Sequence, residues 1–137
     1  MKSARVVLAA ITAATMVAVT AAPAHAQPRS AKKPKFRHVS GGASATLGTQ
    51  KLEVKSKITL VGPEILDCNI DVLVKFQRKV GGKWKTVGSD TTNKKGVAKV
   101  IVADKTGKYR AVAPLTQSEE TGFDCFKATS AVARHSH

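Results

Sequence analysis

Two cysteines, one short acidic series, a large excess of lysine and three of the four histidines, His38, His135 and His137, are the side chains with chemistry to offer. Cys68 and Cys125 lie far apart in sequence and in no C-x-x-C arrangement, so a redox pair is disfavoured and a structural disulfide is expected. Closing so long a loop would contribute about 4 kcal/mol by the chain-entropy relation. Asp67-x-Asn69-x-Asp71 would set three oxygen side chains on one face of a strand, and hard cations such as calcium take clustered oxygens. An EF-hand is excluded, because Val72 and Arg78 stand where its glycine and terminal glutamate belong. A Cys68–Cys125 bond would also bring Asp124, Glu119 and Glu120 beside Glu64, Asp67 and Asp71. Those are six of the nine acidic residues, and neither Gly62–Val74 nor Ala111–Phe126, where they lie, holds a Lys or Arg. The expectation is a basic body with one acidic pole, Asp67, Asn69, Asp71 and Asp124 being its candidate calcium ligands. Solvated loop acids are the plainer alternative.

The basic residues carry the strongest compositional signal. The 137-residue chain has 23 Lys and Arg against 9 Asp and Glu, a formal net charge of +14. Such a surface attracts polyanions: wall polymers, anionic lipid surfaces, acidic glycans or extracellular DNA. Lys75 and Lys79 share a strand face, with Lys83 and Lys85 just across a hairpin, and these four are the expected polyanion contacts. Lys51, Lys55 and Lys57 share another face, and Arg29, Lys32, Lys33, Lys35 and Arg37 crowd the region before it. Lysine far outnumbers arginine and aromatic content is 4%, so bidentate base reading and stacking platforms are both poorly supplied. Sequence-specific nucleic-acid recognition is therefore not expected.

Catalytic chemistry finds no support. No G-x-S-x-G elbow occurs. His38, His135 and His137 fall in segments that read as tails. His135 and His137, two apart, could hold a transition metal weakly, but terminal polar side chains are commonly frayed. No catalytic residue and no cofactor is expected, and no metal ligand apart from the candidate calcium set of the acidic pole.

The elements that position these residues begin with a leader. Lys2 and Arg5 precede an apolar run from Val6 to Ala22, then Ala24-His25-Ala26. This is the form of a secretory signal peptide over 1–26 with cleavage after Ala26. Removing 26 of 137 residues leaves 111. Lys2 and Arg5 leave with the leader, so 21 basic residues face 9 acidic ones, a net charge of +12. That length suits one sandwich or small barrel, and no later apolar run is long enough to span a membrane. Residues 27–42, with Pro28, Pro34, five basic residues and Gly41-Gly42, read as a basic flexible tail.

From Ala43 the period changes to two. Leu52, Val54, Ser56, Ile58 and Leu60 share one parity, Lys51, Glu53, Lys55, Lys57 and Thr59 the other. A second run places Cys68, Ile70, Val72, Val74 and Phe76 on one face; Gly81-Gly82 then turns it into a hairpin partner. Strands follow over 97–103, 108–113 and 126–133, and residues 134–137 read as a disordered end. About seven strands and no helical period predict one all-β domain over 43–133, a β-sandwich. Its expected core is Leu52, Val54, Ile58, Leu60, Val72, Val74, Phe76, Trp84, Val100, Val102, Tyr109, Ala111 and Phe126.

Within Val72–Ala113, Gly81-Gly82-x-Trp84, Thr92 with Gly96, and Gly107-x-Tyr109-x-Ala111 stand at telling intervals. The stretch resembles the Ig-like or transthyretin-like (carboxypeptidase regulatory-like) β-sandwich repeats of secreted bacterial proteins. It covers roughly forty of the 111 residues, and its motifs concern fold rather than function. Antibody-type domains carry a cysteine where this chain has Ala111, so their inter-sheet pin is not implied. The resemblance implies an accessory, adhesive or structural module rather than an enzyme.

The leading expectation is thus a secreted, non-catalytic Ig-like module that associates with anionic cell-wall or matrix polymers through Lys-rich faces. The alternative is a protein-binding adhesin or inhibitor acting through a sheet edge or the 115–124 loop. A small-molecule carrier ranks lower for want of aromatic residues, and an enzyme last.

Overall fold

The computed structural model describes residues 26–39, 51–62, 67–117 and 124–136. The expected leader up to residue 25, residues 40–42 of the expected tail, Glu64, Glu119, Glu120 and His137 lie outside them.

The described chain is all strand and turn. Its order is β1 (Ala26–Gln27), β2 (Arg29–Ala31), β3 (Lys35–Val39), β4 (Lys51–Leu60), β5 (Leu73–Val80), β6 (Lys83–Thr91), β7 (Val97–Ala103), β8 (Gly107–Ala113), β9 (Thr116–Gln117), β10 (Asp124–Cys125), β11 (Ala128–Thr129) and β12 (Ala133–His135). Two antiparallel sheets face each other. Sheet I centres on β4, with β7 on one side and β2 and β3 end to end on the other. Sheet II runs β6-β5-β8, with β11 and β12 end to end along the far side of β8. A small third sheet, β1-β10-β9, sits beside the disulfide and contains a parallel pair, β1 with β10.

The alternation read in the sequence is what builds the sandwich. Leu52, Val54 and Ile58 of β4 and Val74 and Phe76 of β5 are fully buried, joined by Ala98, Tyr109, Ala111 and Ala113. Ser56 holds a place on the buried stripe because its hydroxyl donates to the Lys32 carbonyl at 2.6 Å, where the chain breaks between β2 and β3. A buried hydroxyl without a partner would cost about 1–3 kcal/mol. Gly81 and Gly82, φ +57° and +77°, make the tight β5–β6 turn that only positive φ at both positions allows. Gly96, φ +77°, passes under β4 so closely that a Cβ would lie 2.6 Å from the Ile58 carbonyl oxygen. Tyr109, near the start of β8, donates its hydroxyl to Lys105 O at 2.6 Å across the β7–β8 turn. The contact is similar to the tyrosine corner described for Ig-type sandwiches.

Three expectations need correction. Residues 27–39 are not a flexible tail. They alternate too, Ala31 and Phe36 turning to the core while Lys35 and Arg37 turn out, but Pro34 and the lysines mask the short period. Residues 134–136 are not a disordered end: β12 runs Ala133–His135, and His135 is buried. Of the expected core, Leu60, Trp84, Val102 and Phe126 are only half-buried, Val102 packing against the core from its margin. Trp84 pairs with Lys79 on the outer side of sheet II, where the Arg110 guanidinium covers its ring at 4.4 Å.

Candidate functional site

The disulfide joins Cys68 and Cys125 with Cα atoms 5.7 Å apart. It ties the turn before β5 to the small third sheet. Next to it, Arg29 is buried and donates to three main-chain carbonyls: Nη1 to Cys68 at 3.0 Å, Nε to Phe126 at 2.5 Å, and Nη2 to Pro114. Burial pushes its pKa below the ordinary value. The guanidinium keeps its proton regardless, since arginine is never deprotonated in proteins at ordinary pH. Arg29 thereby links β2 to both sides of the disulfide.

The expected calcium ligands lie in a different local structure from the strand face foreseen for them. Asp67, Asn69 and Asp71 are not on a strand; they form a turn in which Ile70 N–H donates to Asp67 O at 3.2 Å and Asp71 takes φ +52°. Among the described residues the carboxylates of Asp67, Asp71 and Asp124 do not converge at ligand distance.

The expected polyanion contacts divide. Lys75 and Lys79 face outward on sheet II with Trp84, Lys108 and Arg110. Lys83 and Lys85 lie opposite Val80 and Arg78 and so turn to the other side of the hairpin. All four are exposed. Part of the charge on the outer side is engaged, with Arg110 stacked on Trp84 and donating to Gln77 Oε1 at 2.8 Å.

Sheet I holds the denser array. Lys35 of β3 lies directly opposite Lys55 of β4, and Lys55 lies directly opposite Lys99 of β7. Three ammonium-bearing side chains thus form one cross-strand row, at strand spacings of about 4.8 Å. Lys57 and Lys51 flank it along β4, and Arg37 stands one outward position away. An open groove of about 700 Å³ runs over this face between Lys35, Lys55 and Lys99 and the 90–93 segment. A second, of about 220 Å³, adds Lys32, Lys33 and Lys57. The groove's two carboxylates are engaged: Glu53 accepts from Arg37 at 2.9 Å, and Asp90 accepts the Lys99 main-chain N–H at 3.0 Å. Among the described residues no lysine side chain makes an ion pair.

Like charges directly opposite destabilise a sheet. A row of them therefore fits an anion that runs across the strands. The sequence already sets Lys51, Lys55 and Lys57 on one face. What it does not reveal is that Lys35 and Lys99 come into register with Lys55, because that depends on which strands flank β4.

A second cluster brings together two histidines expected in tails, His38 and His135, which instead lie on β3 and β12 and meet at Asp104, a partner the sequence does not announce. His38, Asp104 and His135 meet at one end of the sandwich, with Nε2 of His38 3.0 Å and Nε2 of His135 2.6 Å from the two carboxylate oxygens of Asp104. Their separations along the chain form no motif.

Compared with protein-family models, with curated proteins and with solved structures, the chain finds no match. Among the described residues no helix is long and apolar enough to cross a membrane.

Proposed function

We propose that this chain is an exported, non-catalytic, Ig-like binding module that holds anionic polymer of the cell wall or matrix against the outer face of sheet I. The observation that carries the reading is the Lys35–Lys55–Lys99 row, three like charges in register with no ion pair among the described residues to offset them. The flat, open groove suits an extended polymer better than an enclosed small molecule, which wants a deep and mostly apolar pocket. The leader-like first 26 residues and the disulfide support export, since disulfides persist in oxidising compartments. The contact at Tyr109, similar to a tyrosine corner, supports kinship with Ig-like modules.

The test is binding of the purified, oxidised protein to isolated cell walls and to a soluble polyphosphate across a salt series. It is repeated with Lys35, Lys55 and Lys99 all changed to Gln. The proposal expects the triple variant to lose most wall binding, and a Lys75/Lys79/Lys108 triple variant of equal charge to lose clearly less. Equal losses in the two variants would reduce the effect to net charge and overturn the site.

A further inference from the structure

We propose that His38, Asp104 and His135 form a binding site for a divalent transition ion of the zinc class, which clasps the two sheets together at one end of the sandwich. Each ligand comes from a different part of the fold. His38 is on β3 at the edge of sheet I, His135 is on β12 at the edge of sheet II, and Asp104 is in the turn where the chain crosses between them.

The placement of both histidines departs from the pattern around them. On β3 the core-facing parity holds Phe36, then His38; on β12 it holds Ala133, then His135. Register sets His38 opposite core Leu52, and sets Ala133 opposite core Tyr109 with His135 one step along the same face. On both edges, therefore, the last inward position is an imidazole where the alternation calls for an apolar side chain. The aromatic stack continues without a break into the cluster: Phe36 lies 5.2 Å from Tyr109 and 5.1 Å from His135, and the two imidazoles are 5.5 Å apart.

The donor set fits the chemistry. One nitrogen from each imidazole and one carboxylate oxygen all lie within 4.8 Å of one another. Tetrahedral zinc, with bonds of about 2.0–2.2 Å, needs ligand atoms about 3.4 Å apart. Both imidazoles already aim Nε2 at the one carboxylate, His38 at Oδ2 and His135 at Oδ1, so both ligand nitrogens are brought to the same group. An ion entering there takes the lone pairs of both Nε2 atoms; their protons pass to Nδ1 or to water, and the carboxylate supplies negative charge. The buried Asp104 and His135 form a fixed floor, while His38 is exposed and closes from the solvent side. Three protein ligands leave a fourth position for water on that side.

The experiment uses the untagged, oxidised full protein, stripped with chelator and dialysed. Zinc chloride is titrated by calorimetry, and cobalt(II) is followed by its visible absorption bands. The expected result is one ion per chain, tetrahedral cobalt bands and a higher melting temperature with zinc. His38→Ala alters an exposed side chain, so the fold survives; zinc affinity should fall at least about tenfold, since even outer-shell partners of metal ligands are worth that much. Asp104→Asn should lose the cobalt bands. Because Asp104 is buried, the exposed His38 variant carries the decision if the Asn variant fails to fold. His137→Ala should bind as the parent does. No zinc uptake at millimolar concentration would overturn the proposal. So would unchanged affinity in His38→Ala, or loss of the ion in His137→Ala alone.

Discussion

Lys55 stands in the middle of the cross-strand row, so a single substitution there should raise stability and weaken polyanion binding together. Its ammonium faces Lys35 on one side and Lys99 on the other. At about 7 Å in water each such repulsion is worth about 0.6 kcal/mol. Lys55→Gln removes both while keeping most of the side chain's length. At about 10 mM salt, where the screening length is about 30 Å, the gain should be about 1 kcal/mol. For a domain of this size that is a rise in melting temperature of about 4–8 °C. At about 1 M salt the screening length falls to about 3 Å and the gain should nearly vanish. The same variant should flatten the plot of log affinity against log salt, by about 0.9 for each phosphate it no longer neutralises, on the duplex-DNA scale. The assays are thermal unfolding at the two salt concentrations and a binding series on polyphosphate. A gain that persists unchanged at the higher salt would show that strand propensity, not charge, is responsible. A drop in stability at low salt would refute the reasoning outright.

Arg29→Met should destabilise by about 3 kcal/mol, because three main-chain carbonyls lose their donor at about 1–3 kcal/mol each, offset in part by the charge no longer buried. A urea midpoint within experimental error of the parent would contradict this. Changing Cys68 and Cys125 together to Ala should cost about 4 kcal/mol, measured by the same unfolding curve, and an unchanged midpoint would deny the bond its role. The Tyr109 hydroxyl is pushed above its ordinary pKa of 10.0, chiefly by burial and further by Asp104, with Arg78 acting the other way. A group whose folded pKa is raised contributes stability that is complete below the unfolded value and lost as pH rises through the folded one. Tyr109→Phe should therefore lower stability at pH 7 by about 1 kcal/mol, the worth of its hydrogen bond, and flatten the decline above pH 10. Parallel pH profiles for the two proteins would count against it.

The two-residue period makes the central strands legible. Val54 and Phe76 sit where their alternation with Lys55 and Lys75 requires, and Gly81-Gly82 turns the hairpin as its spacing predicts. The cysteines pair as expected: they are the chain's two, and neither stands in a C-x-x-C spacing. Local reading fails where short segments borrow their order from distant ones. Ala31 and Phe36 are core residues only because β4 lies beside them, and Pro28, Pro34 and the lysines hide that. His38, Asp104 and His135 come together through register in two sheets, so no spacing could announce them. Side-chain type alone makes Trp84 a core residue. The bulge at Val87 and its pairing with Lys79 put it instead on the outer face under Arg110.

The breaks that split β2 from β3 and β11 from β12 bear on how copies of this protein meet one another. An uninterrupted outer strand offers a ledge of free N–H and C=O groups on which a neighbour's strand can assemble, the first step toward fibrous aggregates. Here the outermost segment of each sheet on that side is short: three and five residues in sheet I, two and three in sheet II. Pro34 at the first break has no N–H to donate at all. A visiting strand of ordinary length, about five to six residues, would run past the end of most such ledges before its ladder was complete. On this side of the sandwich the interruptions thus act as a guard against strand-by-strand self-association, which Lys32, Lys33 and Lys35, exposed along the same edge, reinforce by repulsion.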